Sequence, residues 1–259
     1  MNVFKTQLEN LKKSGSQKAL DSLALIFLGA LFLKYTITGQ LKLLINPNYT
    51  GLVWLTAIVL LVTGYIKARE CLKGQKPSEV QHLSTIPPLW SSWILIVTVI
   101  LGFLIPPQVL TSRSALSRGI SDSSLLTRNQ PELFRSFSKP EDRSLLDWVR
   151  TLNAYPEPNA YKGQKAKITG FVIHPPQLVE NYLLLSRFVI TCCAVDAYPV
   201  GILVKLPSAG NNIYKADSWL EVEGQMQPDE VGGRRQLTLF SKNIKSIPTP
   251  SDPYSFSGN

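Results

Sequence analysis

Three apolar runs within the first 107 residues constrain this chain more than any other feature. They cover residues 20–38, 51–67 and 89–105, the last closed by Pro106-Pro107. A run of about 16–18 residues makes a helix roughly 24–27 Å long, the short end of what crosses a bilayer. The plain alternative is a set of buried helices in a soluble protein. Three runs so close together, with Trp54, Trp90 and Trp93 near their ends, favour membrane spans. No small-x-small cleavage pattern follows the first run and two further runs come after it, so it does not read as a secretory signal.

Basic residues orient these spans. Lys5, Lys12, Lys13 and Lys18 precede the first, and Lys67, Arg69, Lys73 and Lys76 follow the second. The opposite side carries Lys34, Lys42, Arg113 and Arg118. The excess places the N-terminus in the cytoplasm and everything after Pro107 outside it, in a multi-pass protein of the inner or plasma membrane. Lys34 reads as a snorkelling residue near a helix end. It would lie mid-membrane only if the helix ran on through Leu41–Ile45. His82 reads as a solvated residue of the cytoplasmic loop.

The formal charge of +9 invites a nucleic-acid partner. Sixteen of the 27 basic residues and only eight of the 18 acidic ones lie in residues 1–143, so the remainder is nearly neutral. A nucleic-acid-binding face on that remainder loses its electrostatic support, and no nucleic-acid partner is expected.

Residues 108–143 are rich in Ser, Arg and Leu without a sustained period, and read as a linker. Ser144 then caps a helix whose Leu145, Trp148, Val149 and Leu152 form one apolar face. Strands are expected at 164–173, 182–194, 198–206, 219–227 and 236–247, with Gly170 bending the first and Gly232-Gly233 turning between the last two. The expected fold class is membrane-anchored α + β: three transmembrane helices followed by a small OB-like five-stranded β-barrel. The expected divisions are a cytoplasmic N-terminus (1–19), a three-helix membrane region (20–107), a linker (108–143), an extracytoplasmic OB-like domain (144–250) and a flexible tail (251–259).

The stretch Arg187-Phe188-Val189-Ile190-Thr191-Cys192-Cys193-Ala194-Val195-Asp196-Ala197, followed by Tyr198-Pro199-Val200-Gly201, resembles the signature of a bacterial membrane-protein family without an assigned activity. Tyr161, Gly163 and Gly170-Phe171-Val172 match its strand pattern, and Asp147-Trp148 its helix. Val195 stands where the usual form has alanine. The family is described as the small subunit of a two-component permease. The resemblance therefore implies a larger polytopic permease subunit as partner, in addition to the lipid bilayer.

Chemistry centres on the cysteines. Cys71 stands alone; Cys192 and Cys193 are adjacent, and a disulfide between neighbours is strained. Alternating strand residues face opposite ways, so one thiol should enter a core and the other leave it. A metal site would use Cys192, Cys193 and Asp196, with His174 joining from the preceding strand, and would suit zinc or another thiophilic metal. It would need a bulge to bring both thiols to one ion. Arg187 would activate a thiol only by folding back toward it. The plain alternative is buried cysteine with an Arg187–Asp196 ion pair. The domain's single histidine, followed by two prolines, and the lack of a nucleophile elbow leave no catalytic residues to name. The leading expectation is a non-enzymatic accessory subunit of a transport complex. The alternative is a membrane-tethered metal-binding or thiol-active protein.

Overall fold

The computed structural model describes residues 2–73, 88–119, 139–176, 178–207 and 213–256. His82, most of the linker and the loop at 208–212 lie outside them. The chain divides into two units, Met1–Gln108 and Val109–Asn259.

The first unit is helical: α1 (Asn2–Ile37), α2 (Thr50–Leu72) and α3 (Pro88–Leu104). Beyond Ile37 the chain turns at Gly39, and Asn46 accepts a hydrogen bond from the Asn48 amide to start the short turn that leads into α2. The helix therefore does not run on through Leu41–Ile45, and Lys34 sits in its last turn. The Lys34 ammonium donates to the Phe103 carbonyl at 3.1 Å and lies over the Phe103 ring. A cation at the C-terminal end of α3 meets the negative end of that helix.

α1 packs on both neighbours through small residues. A Cβ at Gly64 would lie 2.7 Å from Ile26 Cγ1 and 3.2 Å from the Ile26 amide nitrogen, so the α1 and α2 backbones approach closely. Tyr35 donates to the Gly102 carbonyl and Ser92 to Asp21, tying α3 to α1. Two stretches are long and apolar enough to cross a membrane, Ala19–Ile37 and Pro47–Leu72; the apolar part of the third, Trp90–Leu104, is shorter. Three membrane spans were expected, and by length and composition the structure supplies two.

The second unit is a closed five-stranded barrel: β1 (Lys165–Ile173), β2 (Tyr182–Ile190), β3 (Tyr198–Lys205), β4 (Trp219–Val231) and β5 (Arg234–Ile247). β1 pairs with β2 and with β4, β2 with β3, β4 with β5, and β3 meets β5 in parallel, which closes the ring. One strand can serve two partners because β1 changes neighbour near Gly170-Phe171. A Cβ at Gly170 would stand 2.6 Å from the Ser186 carbonyl oxygen, so a glycine is needed for the crossing. β4 and β5 are longer than expected and form one hairpin, with Val231 opposite Arg234.

Leu183, Leu185, Val189, Val204, Val222 and Leu239 fill the barrel. Helix α5 (Leu145–Ala154) seals it with Trp148, which is fully buried. A capping box between Ser144 and Asp147 starts that helix.

Two boundaries differ from expectation. Among the described residues of the expected linker, 109–119 and 139–143 belong to the barrel unit. Helix α4 (Ser112–Ser117) is flanked by ties: the Leu110 amide donates to Tyr254 Oη at 2.9 Å and the Ser112 amide to Asp217. The C-terminal stretch, read as a flexible tail, contributes β6 (Tyr254–Phe256), which pairs in parallel with the end of β2. Its Tyr254 packs edge-on against Phe188, so apolar burial holds what composition alone would leave free.

Candidate functional site

β2 ends at Ile190, and Thr191–Asp196 form a loop between β2 and β3. The cause is local. The Asp196 carboxylate accepts the Thr191 amide at 3.1 Å and the Cys192 amide at 2.7 Å. Those amides would otherwise continue the ladder, and an Asp side chain is a ready competitor for them. The Asp196 amide in turn donates to the Cys193 carbonyl at 3.0 Å, closing a tight turn.

This overturns the expected alternation of the two thiols. Off the strand, Cys192 and Cys193 bring their sulfur atoms to 3.7 Å. The two sulfurs and an Asp196 carboxylate oxygen all lie within 4.8 Å of one another. Cys192 is exposed, and Cys193 and Asp196 are half-buried. The pair is therefore not core cysteine, and 3.7 Å is far from the sulfur–sulfur bond of about 2.05 Å in a disulfide.

The loop is also held from outside. Arg118, just past α4, donates to the Ala194 carbonyl at 3.1 Å and to the Ala197 carbonyl at 2.6 Å. In the sequence Arg118 is only a charge in a linker. The contact spans 76 and 79 residues of chain, and no local pattern announces it.

Electrostatics favour a neutral thiol beside a charged carboxylate. The hydrogen bond to Asp196, and then that to Cys193, push the Cys192 thiol up to about 11. Burial pushes the Asp196 carboxyl upward, but the Cys192 thiol and the backbone amides outweigh it and the net shift is down. Cys192 is therefore not an activated thiolate by itself.

The other candidates are placed elsewhere. Arg187 donates to the Asp252 carbonyl at 2.5 Å and lies over the Trp219 ring, 5.6 Å from its centroid. Burial lowers its pKa, partly offset by Asp252. The expected Arg187–Asp196 pair is replaced by these contacts and by Asp196's hold on its own loop. His174 follows the last residue of β1, whose Ile173 stands opposite Leu184 near the start of β2. Cys192 lies eight residues further along, roughly 25 Å at strand spacing. His174 Nε2 instead meets the Tyr214 carbonyl at 2.7 Å. Among the described residues, the metal-competent cluster is Cys192, Cys193 and Asp196 without a histidine.

The chain matches the DUF1980 N-terminal domain over residues 20–121 and the DUF1980 C-terminal domain over residues 139–257. No curated protein matches it. The first match takes in α2, α3 and α4, and the second covers α5, the barrel and β6 with the cysteine loop. Together they span most of the sequence, and the chain belongs to the DUF1980 family.

Proposed function

We propose that this protein is a non-enzymatic, integral-membrane accessory subunit of a transport complex. It presents its barrel outside the cytoplasm to a larger polytopic permease. The observation that carries the membrane part is the surface of the helical unit. Leu55, Ile58, Val62 and Tyr65 on α2, and Trp93, Ile94 and Ile100 on α3, are each about half exposed or more. The interior face is built from Gly29, Gly64 and Gly102. Large apolar groups outside and small residues between helices is the arrangement that lipid favours and water does not.

In this reading α3 is a short third span, and the lysine and arginine count sets the N-terminus inside. The permease partner rests on the sequence resemblance. The barrel supports a docking role in one respect: it is a closed domain of nearly balanced charge, with Lys167 set between Glu221 and Glu223 of the neighbouring strand. Affinity purification of the full chain in mild detergent, with a polytopic permease of the kind the resemblance implies co-expressed, tests the proposal. Stable retention of the permease, lost when the barrel is replaced by an unrelated domain on the same helical unit, is the expected result. A chain that runs as a single species and never retains the permease counts against it.

A further inference from the structure

The accessory-subunit reading gives the cysteine loop no task, and packing does not explain it. Cysteine is among the most buried residue types, yet here Cys192 is exposed with a second thiol beside it. We infer that Cys192, Cys193 and Asp196 form an open coordination site for a thiophilic divalent cation of the zinc class.

Geometry carries the inference. With metal–sulfur bonds of about 2.3 Å, two sulfur ligands of a tetrahedral ion stand about 3.8 Å apart. The two sulfurs here stand 3.7 Å apart. A linear two-sulfur site would need about 4.6 Å on the same bond length. The third donor is already in place, since a carboxylate oxygen of Asp196 lies within 4.8 Å of both sulfurs. The carboxylate holds its place through backbone amides, and the Cys192 thiol that also bonds it gives up its proton on ligation, which frees that lone pair for the ion.

The loop is also pre-set for binding. Asp196 fixes its first half through two amides, and Arg118 fixes its second half through the carbonyls of Ala194 and Ala197. Arg118 touches no donor atom and acts as a positioning residue through the backbone carbonyls that flank Asp196. Three protein donors leave a fourth position open to water or to a ligand from another molecule. That suits an exchangeable ion more than a structural one. On binding, each thiol releases its proton to solvent as its metal–sulfur bond forms, so one divalent ion displaces two protons and no electrons move.

The inference does not depend on the accessory-subunit reading, because the test needs no permease. The reduced full-length protein in detergent is titrated with Co²⁺, and thiolate-to-metal absorption is read before and after Zn²⁺ is added. Wild type and Cys71→Ser should bind one ion with a two-thiolate band that zinc abolishes. Cys192→Ser and Cys193→Ser should each halve the band and weaken binding at least tenfold. Arg118→Ala should keep the band's shape and weaken binding about tenfold. Zinc should also slow maleimide labelling of Cys192 in the unaltered protein by tenfold or more, a reading independent of any variant's folding. Equal, weak uptake by wild type and the double Cys192→Ser/Cys193→Ser variant would overturn the inference, as would labelling that zinc leaves unchanged.

Discussion

Replacing Asp196 should release the cysteine loop while leaving the barrel intact. The carboxylate uses one oxygen for the Thr191 amide, at 3.1 Å, and the other for the Cys192 amide, at 2.7 Å. A hydrogen bond to a charged group contributes about 1.5–3 kcal/mol, and the exposure of these amides argues for the low end or below. We take about 2 kcal/mol for the two together, which is about thirtyfold in a local opening constant. Asp196→Asn is as informative as Asp196→Ala. An amide has one accepting oxygen, so its NH₂ would face one of the two backbone N–H groups. The assay is amide hydrogen exchange on the full-length protein, followed at Thr191 and Cys192, with Leu183–Val189 of β2 as the internal reference. Asp196→Ala should accelerate exchange at Thr191 and Cys192 by about thirtyfold, Asp196→Asn should accelerate it less because its oxygen still accepts one amide, and both should leave β2 unchanged. Exchange within threefold of wild type at those two amides would refute the carboxylate's role. Acceleration throughout β2 would show that Asp196 supports the barrel as a whole, which the reasoning also denies.

Gly170→Ala places a methyl group 2.6 Å from the Ser186 carbonyl, which is backbone and cannot swing away, so the barrel should lose about 1–3 kcal/mol, visible as a Tm lowered by several degrees. Gly64→Leu should separate α1 from α2, since even a Cβ would meet Ile26 at 2.7 Å; cross-linking between cysteines engineered at Gly29 and Leu61, where a Cβ on Gly29 would stand 2.9 Å from Leu61 Cγ, should fall, and an unchanged yield would contradict the packing. The Lys205–Asp229 pair, 2.9 Å apart with Tyr182 also donating to Asp229, should show in the pH dependence of stability. Hydrogen bonds to Asp229 and then to Tyr182 raise the Lys205 pKa, while for Asp229 burial is outweighed by Lys205 and Tyr182 and the net shift is down. The Lys205 contribution is complete below its unfolded pKa of about 10.4 and fades as pH climbs through the higher folded value; the Asp229 contribution is complete above about 3.9 and fades as pH falls through the lower folded value. The stability gap between wild type and Lys205→Met should therefore be flat near neutrality and narrow at both extremes in denaturant titrations across pH.

Much of the architecture was legible because its causes are local. The apolar runs, the Ser144 cap with its Leu145–Leu152 face, and the five strands are each written in residue spacing within a short window. The turn at Gly232-Gly233 was legible for the same reason, and both glycines adopt the left-handed backbone it needs. The strand ends were less so. β2 was expected to run to Ala194 because Cys192–Ala194 continue its apolar pattern, but the loop belongs to Asp196, which takes the amides that pattern would have paired.

By itself, then, the sequence determined the kinds of element, their order, and the residues capable of ligation. It did so because hydrophobic period, capping and turn chemistry act between neighbours. Tertiary structure decided which of those residues meet. Arg118 reaches the cysteine loop, Arg187 turns to Asp252 and Trp219, and Tyr254 closes over Phe188. β3 also finds β5 in parallel to complete the ring. Each of these joins residues tens of positions apart, except the thiols themselves. Those two are neighbours in the chain, and whether they face one way or opposite ways turned on one carboxylate four residues downstream of Cys192, once folding set it against the end of β2.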